Sequence, residues 1–397
     1  MAMNYFLAPE AALKWLEIPS VYQTETDELY ELDDTSFDFL QKCASEGGGH
    51  SPDKAFIDYC LQERLLTARK ISVKRPSLRK SPEPSLRYLE LQITDRCNLR
   101  CKHCYIDLPT GPSCKGHREG SDPESFHELS LDQIKTILRE FEDLQGLRVL
   151  ITGGEPLLHK DFEAINLMLP DFQIRKVLFS NGLLLNRHLL KNLHVDEIQI
   201  SIDGLEQAHN ALRGTGTFAR SMESIRLCLE MGYEVSISTM VHAKNLGDFD
   251  SMEKLFRKMG IRDWTVDVPC ISGRLAGNKK FQVSPEIGGR YLKYGFGEGL
   301  HSGGEGFGCG LHLMSVMADG KITKCTFYAD RSVGTVHDSL RECWKKILPV
   351  RLSDLTCDCA YLASCRGGCR YRAEVLGNDC GKDLYRCALY DIMKSEK

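Results

Sequence analysis

Hydrophobic positions change their spacing repeatedly along this chain. Between residues 21 and 32 they alternate with polar ones, as in a strand or hairpin, and between 35 and 44 they shift to helical spacing, with Phe37, Leu40 and Ala44 on one face. Gly47, Gly48 and Gly49 interrupt the pattern. A second helix is predicted over residues 52–66, with Ser51 as its cap, Pro52 in its first turn, and Phe56, Ile57, Cys60 and Leu61 on the buried side. Residues 1–70 thus read as a small α+β, winged-helix-like unit. The segment that follows, 71–87, carries Pro76, Pro82 and Pro84 among basic residues and reads as a linker.

From residue 88 the periodicity is that of alternating strands and helices. Strand-like runs recur at 88–93, 148–151, 176–179, 197–202, 234–240 and 264–268, each followed by a helical stretch. Ser130-Leu131-Asp132-Gln133 has the form of a capping box, opening a helix that turns Ile134, Ile137, Leu138 and Phe141 inward. Six such units in one direction imply an α/β fold with a parallel sheet and outer helices, and both an open doubly wound sheet and a partial barrel fit the count. A Gly/Ser/Pro-rich insert interrupts the first unit at 109–122. Beyond residue 300, the runs 314–317 and 321–325 flank Asp319-Gly320 and predict a hairpin. Cys309 and Cys325 are then expected near opposite ends of one small β unit.

At 397 residues the chain is long for one domain. Its net charge of −4 provides no basic field for nucleic acid, and residues 1–70 hold thirteen acidic against six basic side chains, which repels phosphates from the winged-helix-like unit. No run of 18 apolar residues and no signal-like start are found, so a cytoplasmic protein without a membrane partner is expected. Seventeen cysteines in such a chain point to metal ligation rather than disulfides. Nine of them lie between Cys309 and Cys387 inclusive.

Cys97, Cys101 and Cys104 follow the first strand of the repeating part with the spacing C-x3-C-x2-C. Three thiolates on one loop can hold three irons of a [4Fe–4S] cluster and leave the fourth open to an exchangeable ligand. A zinc site or a partial ferredoxin motif is the plainer reading, but a zinc ribbon needs a second C-x2-C pair about 15–20 residues on, and only Cys114 follows. The spacing, with His103 before the third cysteine, resembles the signature of the radical S-adenosylmethionine (SAM) superfamily. That resemblance covers residues 88–290 and implies a partial (β/α)6 TIM-type barrel. It also implies SAM on the open iron, cleaved by one electron to a 5′-deoxyadenosyl radical that abstracts hydrogen.

In parallel α/β folds ligands gather at the carboxyl ends of the strands, where this chain places its unusual residues. Gly153, Gly154 and Glu155, before Pro156, resemble the family's GGEP motif, with Glu155 an acceptor for the SAM ammonium. Ser180 and Asn181 end the third strand, and Ser201 and Asp203 the fourth, with Arg213 beyond. By the resemblance Ser201 and Arg213 contact the SAM carboxylate and ribose. Each pattern alone is ordinary turn chemistry. Ser238 and Val241 fit SAM contacts or barrel packing equally.

The cysteines from residue 300 on resemble the SPASM extension, which carries two auxiliary iron–sulfur clusters, expected to be [4Fe–4S]. By that match Cys309, Cys325 and Cys369 hold the first, and Cys357, Cys359, Cys365 and Cys387 the second. Cys357-x-Cys359 departs from the usual C-x2-C, so Cys380 is an alternative to Cys357, and Gly303 stands where some relatives have a further cysteine. A zinc-binding tail is the simpler alternative. Cys43, Cys60, Cys114, Cys228, Cys270 and Cys343 have no partner at ligand spacing and read mostly as small buried residues.

The first 70 residues resemble the PqqD-like peptide-recognition element of peptide-modifying radical SAM enzymes, which takes a leader peptide as an added strand. The expected activity is therefore radical modification of a ribosomally made precursor peptide, by crosslinking or oxidation, with an electron donor such as flavodoxin or ferredoxin. Haem or cofactor biosynthesis and a sulfatase-type maturase are the alternatives. Relatives of the latter carry aspartate after the cysteine matching Cys325, where this chain has Thr326. A non-enzymatic iron–sulfur scaffold would have no use for the strand-end motifs.

Overall fold

The computed structural model describes residues 3–106, 126–297, 299–300 and 304–392; the insert at 109–122 with Cys114, and Gly303, lie outside them. The first segment runs β1 (Phe6–Leu7), β2 (Ala11–Trp15), β3 (Pro19–Gln23), β4 (Glu28–Glu31), α1 (Asp34–Cys43), α2 (Lys54–Gln62) and β5 (Leu66–Thr67). β2, β3 and β4 form an antiparallel sheet, and β1 pairs with β5. Leu7, Val21, Leu40, Ile57 and Leu65 fill the core between them, together with Cys43 and Cys60. α2 begins later than expected. Asp53, not Ser51, is its cap, because the Asp53 carboxylate accepts from Phe56 N at 3.0 Å and leaves Pro52 outside. The proline-rich stretch has no regular structure but is strapped down. Arg75 donates to the carbonyls of Leu7, Ala8 and Ala11 at 2.9, 2.8 and 2.6 Å, and Ser81 N donates to Trp15 O at 2.8 Å.

The repeating part runs β6 (Tyr88–Thr94), α3 (Leu131–Asp143), β7 (Arg148–Gly153), α4 (Phe162–Met168), β8 (Arg175–Ser180), α5 (Arg187–Leu190), β9 (Glu197–Ser201), α6 (Glu206–Arg213), α7 (Thr217–Glu230), β10 (Glu234–Met240), α8 (Phe249–Met259), β11 (Trp264–Asp267) and α9 (Gly273–Gly277). Ser130 and Gln133 form the expected reciprocal capping box on α3. β6 to β11 lie in chain order and all parallel. A doubly wound sheet reverses order at a switch point. This one does not, so right-handed crossovers put every helix on the same face. That face carries Leu89, Leu91, Ile93, Val149, Ile151, Leu178, Ile198, Ile200, Val235 and Ile237, all within the main core. Alternate positions present Glu90, Gln92, Gln199, Ser201, Ser236 and Ser238, with Leu150, Val177 and Phe179, to the other, more polar face.

The expected hairpin is β12 (Leu313–Val316) and β13 (Lys321–Thr323), followed by β14 (Gly334–Thr335). β12 also pairs in parallel with β6, so the hairpin continues the central sheet to nine strands. Cys309 and Cys325 are brought to one end rather than to opposite ends. In an antiparallel hairpin the residues before the first strand and after the second share the end away from the turn.

The amino-terminal segment closes the mouth of the sheet where the strands begin. The first residues of β7 and β8, Arg148 and Arg175, reach the turn between β3 and β4. Arg148 Nε donates to Asp27 Oδ1 at 2.9 Å, and Arg175 Nη1 donates to Thr24 O at 2.9 Å and Glu25 O at 2.5 Å. Arg175 also pairs with Glu197 at 3.0 Å and with Glu234, and Arg262 Nη2 donates to Thr26 O at 2.8 Å. Lys14 is buried in β2 and donates to Gly146 O at 2.7 Å and Gln173 O at 3.1 Å; burial lowers its pKa to about 8. Among the described residues no helix is long and apolar enough to cross a membrane.

Candidate functional site

At the opposite, carboxyl end of the strands lies the three-cysteine loop. β6 ends at Thr94, and Cys97, Cys101 and Cys104 follow, Cys97 exposed and the other two half-buried. The loop backbone is seated on the end of β7. Gly154 N donates to Thr94 O and Glu155 N to Arg96 O, both at 2.8 Å. No side chain fits between them: a Cβ on Gly153, whose φ is +140°, would stand 2.2 Å from Thr94 O, and one on Gly154 would stand 2.3 Å from Arg96 O. The glycine pair thus serves the approach of two protein backbones.

Glu155 is wholly buried. Its carboxylate accepts from Ser180 Oγ and Asn181 N, each at 2.9 Å, and burial raises its pKa to about 7 against the pull of those bonds. Glu155 therefore acts as a brace that ties the end of β7 to the end of β8. Asn181 carries the tie onward, its Nδ2 donating to Asn98 Oδ1 inside the cysteine loop at 2.7 Å.

Asp203, just beyond β9, is also fully buried. It accepts from Arg213 Nε at 2.5 Å and Met240 N at 2.7 Å, and His103 Nε2 stands 3.9 Å away. Burial alone would raise its pKa, but Arg213 foremost, with His103 and His209, holds it well below the usual carboxylate range. Arg213 Nη1 lies 3.9 Å from Cys101 Sγ, so this buried cation faces the loop's thiols. Burial lowers the pKa of His103 to about 4, and its Nδ1 has no partner among the described residues. Ser201 is half-buried at the end of β9 and in register with Ser238 on β10.

Sequence reasoning missed α9. Gly273, with φ +50°, lets the chain pass Cys104 O, where a Cβ would stand 2.4 Å away. Arg274 N donates to that same carbonyl at 3.0 Å, and Asn278 Nδ2 donates to Lys102 O at 3.3 Å. Nothing marks residues 273–278 in the sequence, because they act on the loop through its backbone.

The later cysteines form two groups. Cys357, Cys359, Cys365 and Cys387 line one small cavity with Lys382, Asp383 and Arg386, and Cys380 is not among its lining residues. Cys309, Cys325 and Cys369 lie together beyond the hairpin, close enough to perturb one another's ionisation. Asp383 joins the groups. It accepts from Cys369 N at 2.8 Å, pairs with Arg372 at 2.9 Å, and caps Leu384–Leu389, the helix that carries Cys387. Arg366, Gly367 and Gly368 all have positive φ, making the tight turn between Cys365 and Cys369. Cys43, Cys60, Cys228 and Cys343 are packed in cores as expected. Cys270 is different: its thiol lies beside that of Cys369, near enough for each to shift the other's ionisation. Among the described residues no three His, Cys, Asp or Glu side chains converge on a point where a single metal ion could sit.

Residues 91–256 match the model of the radical SAM superfamily, and the fold is the α/β fold with a mostly parallel central sheet found in radical SAM structures. Curated relatives include an AdoMet-dependent heme synthase of Nitratidesulfovibrio vulgaris, 30% identical over 49% of this chain and 51% of that protein, and a GTP 3′,8-cyclase of Mannheimia succiniciproducens, 34% identical over 46% and 50%. The chain spans about half the length of these relatives. Among solved structures, Streptococcus suis SuiB bound to its precursor peptide SuiA is similar at a TM-score of 0.67 and 15% identity, over 96% of this chain and 98% of SuiB. The structure of anSMEcpe with bound AdoMet and a peptide gives 0.55 and 17%, over 77% and 94%.

Proposed function

We propose that this protein is a radical SAM enzyme that modifies a ribosomally made precursor peptide. The observation that carries the reading is the three-cysteine loop seated on Gly154 and Glu155 at the carboxyl end of a parallel sheet, above its more polar face. The residues fit the implied group: three thiols share one loop, one of them exposed, beside a His103 imidazole nitrogen that has no partner among the described residues. A [4Fe–4S] cluster with SAM on its open iron would supply a 5′-deoxyadenosyl radical for hydrogen abstraction.

The protein's own part is positioning. Glu155, Ser180 and Asn181 brace the loop from the β7 and β8 side, Asp203 and Arg213 from β9, and Gly273 with Arg274 from α9. Hydrogen transfer rewards this rigidity, since displacing a reacting atom by about 1 Å can cost roughly a hundredfold in rate. Cys309, Cys325 and Cys369 would hold a first auxiliary cluster, and Cys357, Cys359, Cys365 and Cys387 a second, to take up the remaining electron or bind substrate. The domain limits proposed are 1–70 for peptide recognition, 71–87 for the connection, 88–290 for the core and 300–397 for the auxiliary clusters.

A peptide substrate is supported by the amino-terminal unit, whose strand β4 is a sheet edge with half-exposed side chains, and by the likeness to peptide-bound SuiB over nearly the whole chain. Glu28 and Glu31 flank that edge, which favours a basic leader. The curated relatives favour a second reading, a small-molecule reaction of haem or cofactor synthesis.

Reduced, reconstituted protein should release 5′-deoxyadenosine from SAM, and replacing Cys97, Cys101 and Cys104 together by alanine should abolish release while auxiliary iron stays. Continued cleavage by the triple variant would overturn the assignment. Anaerobic capture from source cells with the full chain, and with Glu28→Lys/Glu31→Lys, separates the two readings: a short encoded peptide retained only by the unaltered chain supports peptide modification.

A further inference from the structure

We propose that Cys270 supplies the fourth thiolate of the first auxiliary cluster, completing the set of Cys309, Cys325 and Cys369 from within the radical SAM core. The inference rests on the auxiliary-cluster reading above. Four cysteines are the full complement of a [4Fe–4S] cluster, and the three assigned from spacing leave one iron without a thiolate. Cys270 sits three residues beyond β11, buried, beside Cys369, since the end of β11 is bonded to Arg372 one turn after that cysteine. Thirty-nine positions before Cys309, it falls in no ligand spacing that a sequence would reveal.

The placement is held from both sides. Arg372, three residues after Cys369, donates through Nη1 to Asp267 Oδ1 at 2.6 Å and to Val268 O at 2.8 Å, locking the end of β11 to the helix Arg370–Val375. The same guanidinium pairs with Asp383, which holds Cys369 N. On the other side, Ser272 N donates to Cys270 O at 2.8 Å, and Gly273 next to it lies against Cys104 O. Residues 270–274 therefore run from the auxiliary sulfurs to the backbone of the SAM-cluster loop. A cluster ligand at Cys270 would bind that segment covalently to the auxiliary iron, while the Arg274 N–Cys104 O hydrogen bond holds it to the SAM-cluster loop. On ligation the thiol gives up its proton to solvent and forms one Fe–S bond, with no change in oxidation state.

The test uses the full chain with Cys97, Cys101 and Cys104 replaced by alanine, reconstituted with ⁵⁷Fe, so that only auxiliary iron is seen. Mössbauer spectra and imidazole titration followed by electron paramagnetic resonance are read for this protein and for Cys270→Ala and Cys270→Ser added to it. Expected is a first auxiliary cluster indifferent to imidazole in the parent, an imidazole-sensitive one with one altered iron site in Cys270→Ala, and an oxygen-ligated site at parental iron content in Cys270→Ser. The parent arm stands even where Cys270→Ala does not fold. Imidazole sensitivity already in the parent, or spectra unchanged by both substitutions, would leave Cys270 as no more than an S–H donor to Cys369 and overturn the proposal. Replacing Cys309, Cys325 and Cys369 together should remove about four irons. Retention of that iron would instead sink the cluster reading itself.

Discussion

Gly154→Ala tests whether the glycine pair exists for the cysteine loop. The new Cβ would stand 2.3 Å from Arg96 O and 2.7 Å from Asp95 O, both backbone atoms that no side-chain rotation can move. Reaching ordinary contact at 3.4 Å requires the two backbones to part by about 1 Å. Overpacking of this kind costs about 1–3 kcal/mol, and it pulls on the 2.8 Å bonds from Gly154 N and Glu155 N. The melting temperature should fall by roughly 1–4 °C. The larger effect is on geometry: a shift of about 1 Å in the loop should slow SAM cleavage about a hundredfold. Anaerobic 5′-deoxyadenosine release and thermal unfolding measure the two effects, with Gly247→Ala as control, where an added Cβ meets nothing within 4 Å. If Gly154→Ala cleaves SAM at the parental rate and melts with the control, the loop is not seated as described.

Two further outcomes follow from the buried carboxylates. Glu155 keeps its proton to about pH 7 in the folded chain but loses it near 4.5 when unfolded, so its contribution to stability falls as pH rises through that window, by up to about 3 kcal/mol. Glu155→Gln removes this slope: in SAM-free protein the variant should gain on the parent between pH 5 and 7 in denaturant unfolding, and a constant difference would contradict the burial argument. Asp383→Asn leaves Arg372 buried with only the half-exposed Asp267 as a charged partner. It should cost on the order of 3–5 kcal/mol in chemical unfolding and lower iron content at both cysteine groups.

What could be read from the sequence follows physical reach. The six strands were legible because each is an apolar run flanked by turn residues, and α3 because Ser130 and Gln133 are local to it. β2 was not, since Ala11-Ala12-Leu13-Lys14-Trp15 has no alternation and places a lysine indoors; only the distant carbonyls of Gly146 and Gln173 make that tolerable. The cysteine loop announced itself by spacing, which is a property of one short segment. The role of Glu155 as a brace, the service of Gly273 and Arg274 to Cys104, and the contact of Cys270 with Cys369 all depend on residues that meet only after folding. The hairpin was legible, but its annexation to β6 was not, because strand-to-strand register is a tertiary choice.

The turn between β3 and β4 sits where the strands of the sheet begin, while the three-cysteine loop occupies the end where they finish. A peptide anchored along β4, as proposed above, would find the direct way past the strand starts occupied by this turn and would run round the outside. β6 alone has seven residues, roughly 23 Å at a strand's rise, and the detour past a layer of helices about 10 Å thick adds to it. An extended chain covers about 3.3–3.6 Å per residue. Under the peptide-modifying function proposed above, the architecture would act as a ruler: residues closer than about ten positions to a segment anchored on β4 would stay out of range, and tether length would choose the site before any chemistry is read.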